Sequence, residues 1–395
     1  MPITINDPLL STDIFIAIFV FVLLVSLRRG KDQRLFPPAL TSELKGLAIL
    51  AVIFSHVGYF LSTDDRFLFP LSIMAGVGVN LFLFLSGYGL TMSALKTEMT
   101  VIGFYKKRLL KLFTPFWLVI LGFFLLDFFL LHKSYDWPYI IRSMLGLFPR
   151  ADLFLDVDSP LWFFTPILFY YLIFPLVFFK KRPWLTAIII YTVSYLILLS
   201  EPPVSIDVLH LYQLHLLAFP LGIAFASLFF QPFFFSRILP ARAGSFLYDL
   251  RRPDWIRKML DKFKMPNVFA RGLKILKRPA YHLISIVLLI LTGFMAYYSG
   301  VGGSPDKEQT ISLVTMSAII FFFMMKKFEI RALYIVGLSA YEIYLIHWPL
   351  MSRYDLFFKY FPGWLAMILY LGLFLILAFL LKKLINQIYR FKILI

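Results

Sequence analysis

The chain has 395 residues, of which 60% are hydrophobic and only 15% charged, with a mean hydropathy of +0.82. A water-soluble domain could not solvate its surface with that balance, so the composition excludes one and requires a polytopic membrane protein. The formal net charge of +17 reads as basic loops on one membrane face rather than nucleic-acid binding, and the zero Cys excludes disulfides, thiolate metal sites and cysteine nucleophiles.

The first apolar run, about Leu9 to Leu27, is followed by Arg28, Arg29, Lys31 and Arg34 and preceded by no base. A secretory signal has the reverse charge order, so residues 1–35 read as an anchor helix with its N-terminus outside. A second span is expected at about Leu44–Leu61, then the acidic loop Ser62–Arg66, then a glycine-rich third span at about Leu71–Leu95. The basic segment Phe104-Tyr105-Lys106-Lys107-Arg108-Leu109-Leu110-Lys111 leads into a fourth span ending near Leu131. Residues 132–159 are too polar to cross and are expected at the outer interface, with Trp137 and Tyr139 as anchors. Further spans are expected at about Leu161–Phe179, Trp184–Leu199 and Leu211–Phe230.

From Ser236 to His282 runs a polar insert with twelve Lys/Arg against three Asp. Its stretch from about Asp254 to Leu276 has the spacing of a helix lying on an anionic inner leaflet. The last spans are expected at about Leu283–Tyr298, Ile311–Met325, Leu333–Leu350 and Trp364–Leu384. The total is about eleven transmembrane helices, a ten-helix core plus one N-terminal helix, in an all-α fold. Loop charges alternate along the chain if the N-terminus is outside and the C-terminus cytoplasmic. A single membrane domain is expected over residues 36–395, with the basic cytoplasmic insert at about 236–282.

The second span organises the rest. Lys45 and His56 lie eleven residues apart, close to three helical turns, so both project from one face about 16 Å apart along the axis. Lysine near a helix end can reach the interface, whereas an imidazole at the depth of His56 is costly and marks a functional position or a helix-packing hydrogen bond. Of the six histidines, His132, His210, His215 and His282 fall at span ends or in loops and are expected to be solvated or interfacial. Only His347 shares an intramembrane position with His56, and Tyr344 stands three residues before it on the same helix face. No carboxylate-rich cluster accompanies the two imidazoles, so no metal site is expected. A neutral imidazole can take a proton from a hydroxyl, whose oxygen could then attack an acyl carbonyl. An acyl-CoA donor would need cations for its phosphates, and Lys45, Lys107, Arg108 and Lys111 are expected together at the inner face.

Five segments then resemble one family in order. They are Lys45 with His56; the run Gly76 to Tyr88, which includes Asn80 and Ser86-Gly87-Tyr88; Lys107-Arg108-Leu109-Leu110-Lys111 through Trp117; Leu161-Trp162-Phe163-Phe164 with Phe169-Tyr170-Tyr171 and Pro175; and Tyr341-x-x-Tyr344-Leu345-x-His347-Trp348-Pro349. Over about Glu43 to Leu384 the chain resembles the acyltransferase-3 family of integral membrane acyltransferases, with Lys45 where arginine is common. The resemblance implies transfer of an acyl group, commonly acetyl and with succinyl also open, from acyl-CoA to a hydroxyl of a cell-surface glycan or lipid-linked sugar. It implies His56 as general base and Lys45, Lys107, Arg108 and Lys111 as the acyl-CoA site. Asn80, Ser86, Trp162, Tyr341, Tyr344 and His347 are implied to line the substrate cavity. No bound cofactor is expected, and the expected setting is a bacterial cytoplasmic membrane. Two other readings stay open at the level of sequence: a glycolipid or polysaccharide transporter or flippase, and an inactive partner in an export complex.

Overall fold

The structure is a computed structural model that describes residues 5–30, 36–60, 67–152, 155–202, 206–230, 305–326 and 328–393, with scattered positions between 287 and 298. The expected inner-leaflet helix in the 236–282 insert, the acidic loop at 62–66 and most of the span at 283–298 therefore lie outside the described residues. The helices are α1 (Pro8–Val25), α2 (Pro38–Phe60), α3 (Ala75–Lys96), α4 (Val101–Leu130), α5 (Trp137–Met144), α6 (Phe164–Ile173), α7 (Pro183–Leu199), α8 (Leu209–His215), α9 (Ala218–Phe230), α10 (Pro305–Met325), α11 (Arg331–Leu338), α12 (Ala340–Ser352) and α13 (Gly363–Ile393). Two three-residue strands, β1 (Leu27–Arg29) and β2 (Phe328–Ile330), pair antiparallel with Arg28 opposite Glu329.

The bundle has the polarity of a membrane protein. Large apolar side chains such as Phe128, Phe129, Leu199 and Phe379 face outward, while Asn80, Thr91, Asp127, Thr186 and His347 are buried. Such an exterior suits hydrocarbon, where every backbone group must bond within its own helix. The small hydroxyl residues follow the same rule: Ser55, Thr91 and Ser194 each donate to the carbonyl four residues back. Among the described residues, seven helical stretches are long and apolar enough to cross a membrane, and two shorter apolar helices cover Ser159–Ile173 and Pro183–Leu199.

Several expected spans are divided. The span expected at Leu333–Leu350 is two helices that break at Ser339, and the span at Leu211–Phe230 divides into α8 and α9. The span at Leu161–Phe179 opens with a 3₁₀ turn over Ser159–Phe163 and its helix ends at Ile173. Periodicity could not place these breaks, because the apolar runs continue through them. The outer segment holds the short helix α5 with Trp137 75% exposed, as an interfacial anchor requires. Tyr139 corrects the expectation: it is buried, and its hydroxyl accepts from the Val157 backbone N–H at 2.8 Å.

Close helix contacts set the geometry around α2. Gly46 and Gly337 meet where α2 crosses α11, and a Cβ on Gly337 would lie 1.7 Å from the Ser42 carbonyl oxygen. Only glycine allows that approach, which brings the start of α12 against the Lys45 end of α2. At the same end the buried Glu43 carboxylate pairs with Lys326 Nζ at 2.5 Å and accepts from the Ile330 backbone N–H at 3.2 Å. That contact joins α2 to α10 and the β1–β2 ribbon. The anchor helix α1 packs on the core as well, with Phe15 buried edge-on against Phe54 of α2 at 5.4 Å.

Candidate active site

Two chambers lie in line along the bundle. The larger, of about 570 Å³, is lined by Val52, Ser55 and His56 of α2, Gly76 and Val79 of α3, Trp162, His215, Ser312 of α10, and Tyr344 and Trp348 of α12. The smaller, of about 290 Å³, is lined by Lys45, Ser86, Arg108, Lys111, Tyr171, Tyr341 and Glu342. Phe82, Phe163 and Tyr344 line both and so form the wall between them. Phe163 stands edge-on to Tyr344 at 5.8 Å and tilted against Phe82 at 6.3 Å.

Helical spacing explains how four segments run past both chambers. On α2, Lys45 faces the smaller chamber and His56, three turns on, the larger. On α12, Tyr341, Tyr344 and Trp348 at i, i+3 and i+7 face the smaller chamber, the wall and the larger chamber in turn. On α3 the order is reversed, with Gly76 and Val79 in the larger chamber, Phe82 in the wall and Ser86 in the smaller, so α3 runs opposite to α2. The chain from Trp162 to Tyr171 runs in the same sense as α3.

The larger chamber contains a fixed chain of hydrogen bonds. Nδ1 of His347 lies 2.8 Å from the Tyr344 carbonyl oxygen, which can only accept, so Nδ1 carries the hydrogen. Nε2 of neutral His347 is then an acceptor, and it lies 2.8 Å from Nδ1 of His56. His56 therefore donates from Nδ1 and carries its lone pair on Nε2. The two rings are stacked, 9° from parallel, and Trp348 stands edge-on to His56 at 5.0 Å. His56 is half-buried at the chamber wall, whereas His347 is wholly buried behind it. Sequence placed His347 on the cavity wall, but the structure makes it the partner of His56. The signal was present in the spacing of Tyr344 and His347, where an imidazole can bond to the carbonyl three residues back.

The frame of α12 holds this chain in register. The Tyr344 hydroxyl donates to the Pro160 carbonyl at 2.7 Å, and Tyr341 donates to the Leu112 carbonyl at 2.6 Å, three residues before Pro115, which lies inside α4 and has no N–H to offer that turn. Beyond the far end of α12, Arg353 pairs with the buried Asp127 of α4, which also accepts from the Tyr354 hydroxyl at 2.8 Å. Asp158 is buried near this cluster, and burial raises its carboxyl well above the ordinary carboxylate range.

The smaller chamber is cationic. Lys45, Arg108 and Lys111 line it together, and Lys382 of α13 stands beside Glu342 at 3.6 Å. Lys107 is exposed and does not line the chamber, because one residue along α4 turns the side chain by about 100° from Arg108. Asn80 also departs from expectation. It is wholly buried and does not line the larger chamber; its amide donates to Ser312 Oγ and its Oδ1 meets His215 Nδ1, each at 2.8 Å. Trp162, Tyr341, Tyr344 and Ser86 do line the chambers. His215 is the residue the sequence missed. It was expected at an interface because it ends a span, yet it is buried on the wall of the larger chamber. Among the described residues no group of three or more His, Asp or Glu side chains could hold a metal ion.

No curated protein and no solved structure matched the chain. Residues 44–383 match the family model described as an acyltransferase domain, and the motif segments around both chambers fall within the match. By that match over most of its length, the chain belongs to the acyltransferase-3 family of membrane acyltransferases.

Proposed function

We propose that the protein moves an acyl group, most simply acetyl, from acyl-CoA to a hydroxyl of a cell-surface glycan or lipid-linked sugar, with His56 as general base. One observation carries the reading: a cationic chamber and an imidazole chamber share a wall of three side chains, Phe82, Phe163 and Tyr344. A donor with its phosphates held by Lys45, Arg108 and Lys111 would pass its thioester across that wall toward His56.

The residues suit the chemistry. Nε2 of His56 takes the hydroxyl proton as the acceptor oxygen attacks the thioester carbonyl. The new C–O bond forms, the C–S bond breaks, and the imidazolium returns its proton to the departing CoA thiolate. His347 orients the base by accepting from Nδ1 of His56, and the Tyr344 carbonyl holds His347 in the tautomer that can accept. No acyl carrier side chain is needed, since donor and acceptor meet at one imidazole. In the proposed orientation the cationic end is cytoplasmic, where acyl-CoA is made, and the His56 chamber opens toward the outside of a bacterial cytoplasmic membrane. The ten-helix core with one N-terminal helix and the anionic inner leaflet under the basic insert belong to the same reading.

The test is acetyl-CoA binding and slow thioester hydrolysis by detergent-purified protein. Wild type that binds and turns over acetyl-CoA, beside His56→Ala that binds without turnover, supports the proposal. Absence of binding in both refutes the donor site, and glycolipid flux in liposomes without CoA would then favour transport.

A further inference from the structure

The larger chamber has a second imidazole held as firmly as the first. His215, at the end of α8, lines the chamber and stacks on Trp162 with ring centroids 5.9 Å apart and 20° between the planes. Its Nδ1 is 2.8 Å from Asn80 Oδ1. The Asn80 amide nitrogen is committed to Ser312 Oγ, also at 2.8 Å, so it is the carbonyl oxygen that faces the ring. A carbonyl oxygen only accepts, so Nδ1 of His215 carries the hydrogen and Nε2 the lone pair. The strut spans α3, α8 and α10, and Asn80 is wholly buried within it. A buried network of this kind fixes ring orientation as well as tautomer.

We infer that His215 is a second hydroxyl-binding residue, receiving a hydrogen bond at Nε2 from a hydroxyl of the acceptor other than the one that is acylated. The inference rests on the acyl-transfer reading above. A ring serving only to pack α8 would need neither a tautomer fixed by a buried acceptor nor a place on the chamber wall. His215 has both, and its face lies against Trp162, which also lines the chamber and offers an apolar surface to the carbon skeleton of a bound polyol. Two imidazole acceptors lining one chamber select an acceptor with at least two hydroxyls: one meets His56 and reacts, the other meets His215 and sets which hydroxyl is presented. A mono-alcohol of the same size would leave the His215 lone pair unanswered, at the cost of one hydrogen bond.

The experiment compares two probe acceptors of matched shape, trans-1,2-cyclohexanediol and cyclohexanol, with acetyl-CoA as donor and detergent-purified full-length protein. Wild type is expected to favour the diol in kcat/KM, and His215→Ala to reduce that preference about tenfold, chiefly through KM for the diol. His215→Gln, which retains a carbonyl acceptor, is expected to restore part of the preference and guards against a fold defect in the alanine variant. An unchanged diol preference in both variants overturns the inference. So does an equal loss for both alcohols, which would mark His215 as structural or as part of the base. Failure of the underlying reading looks different: wild type would then acetylate neither alcohol, before any His215 variant is compared.

Discussion

The two chambers differ in how they are built. The cationic chamber depends on charge: Lys45, Arg108 and Lys111 come from two helices, and Lys111 is exposed at its mouth. None of the three needs an exact partner, since point charges act over several ångströms. The imidazole chamber depends on hydrogen-bond direction. Each of its rings is tied through Nδ1 by a buried acceptor, His56 by His347 and His215 by Asn80. Charge can be supplied by any basic helix end, whereas a tautomer requires one atom at one place.

That contrast predicts graded losses. The largest effect is expected at His56, where His56→Ala should lower kcat for acyl transfer about 10³-fold, within the usual span for a general base, while leaving the Kd for acetyl-CoA near wild type. Calorimetric binding beside a turnover assay checks both, and an equal collapse of Kd would break the separation of the chambers. His347→Ala should cost about 10²-fold in kcat with little change in donor KM, because it frees the ring of His56 without removing the base. Next, Lys45→Ala should weaken acetyl-CoA about tenfold and leave acetyl-pantetheine, which has no phosphates, almost unaffected. Equal weakening of the two donors would show that Lys45 does not read phosphate. The smallest effect is expected for Tyr344→Phe, which loses the 2.7 Å bond to Pro160 and should destabilise the protein by about 1 kcal/mol, read as a lower melting midpoint in detergent. If that variant also loses turnover, the hydroxyl has a chemical part that its bond to Pro160 does not explain.

Much of the cationic chamber was legible in the sequence. The eleven-residue interval from Lys45 to His56 set both on one face of α2, and that interval does run from one chamber to the other. The basic entry to α4 likewise announced Arg108 and Lys111, though only tertiary packing separated them from Lys107. His215 was misread because a histidine at the end of an apolar run looks interfacial. What buries it is the packing of α8 beside α3 and α10, whose polar residues Asn80 and Ser312 are far from it in sequence.

By itself, the sequence determined the solvent of this protein, its helical periodicity and the placement of basic residues along its helices. Each of these depends on residues that are close along one helix, or on the sum of all residues. The tertiary structure alone decided which imidazole orients which, where the spans break, and which side chains wall the chambers. His56 meets His347 across 291 residues of chain, and His215 meets Asn80 across 135. No local pattern encodes such a contact: a hydrogen bond of 2.8 Å has a direction that only the packed helices can supply.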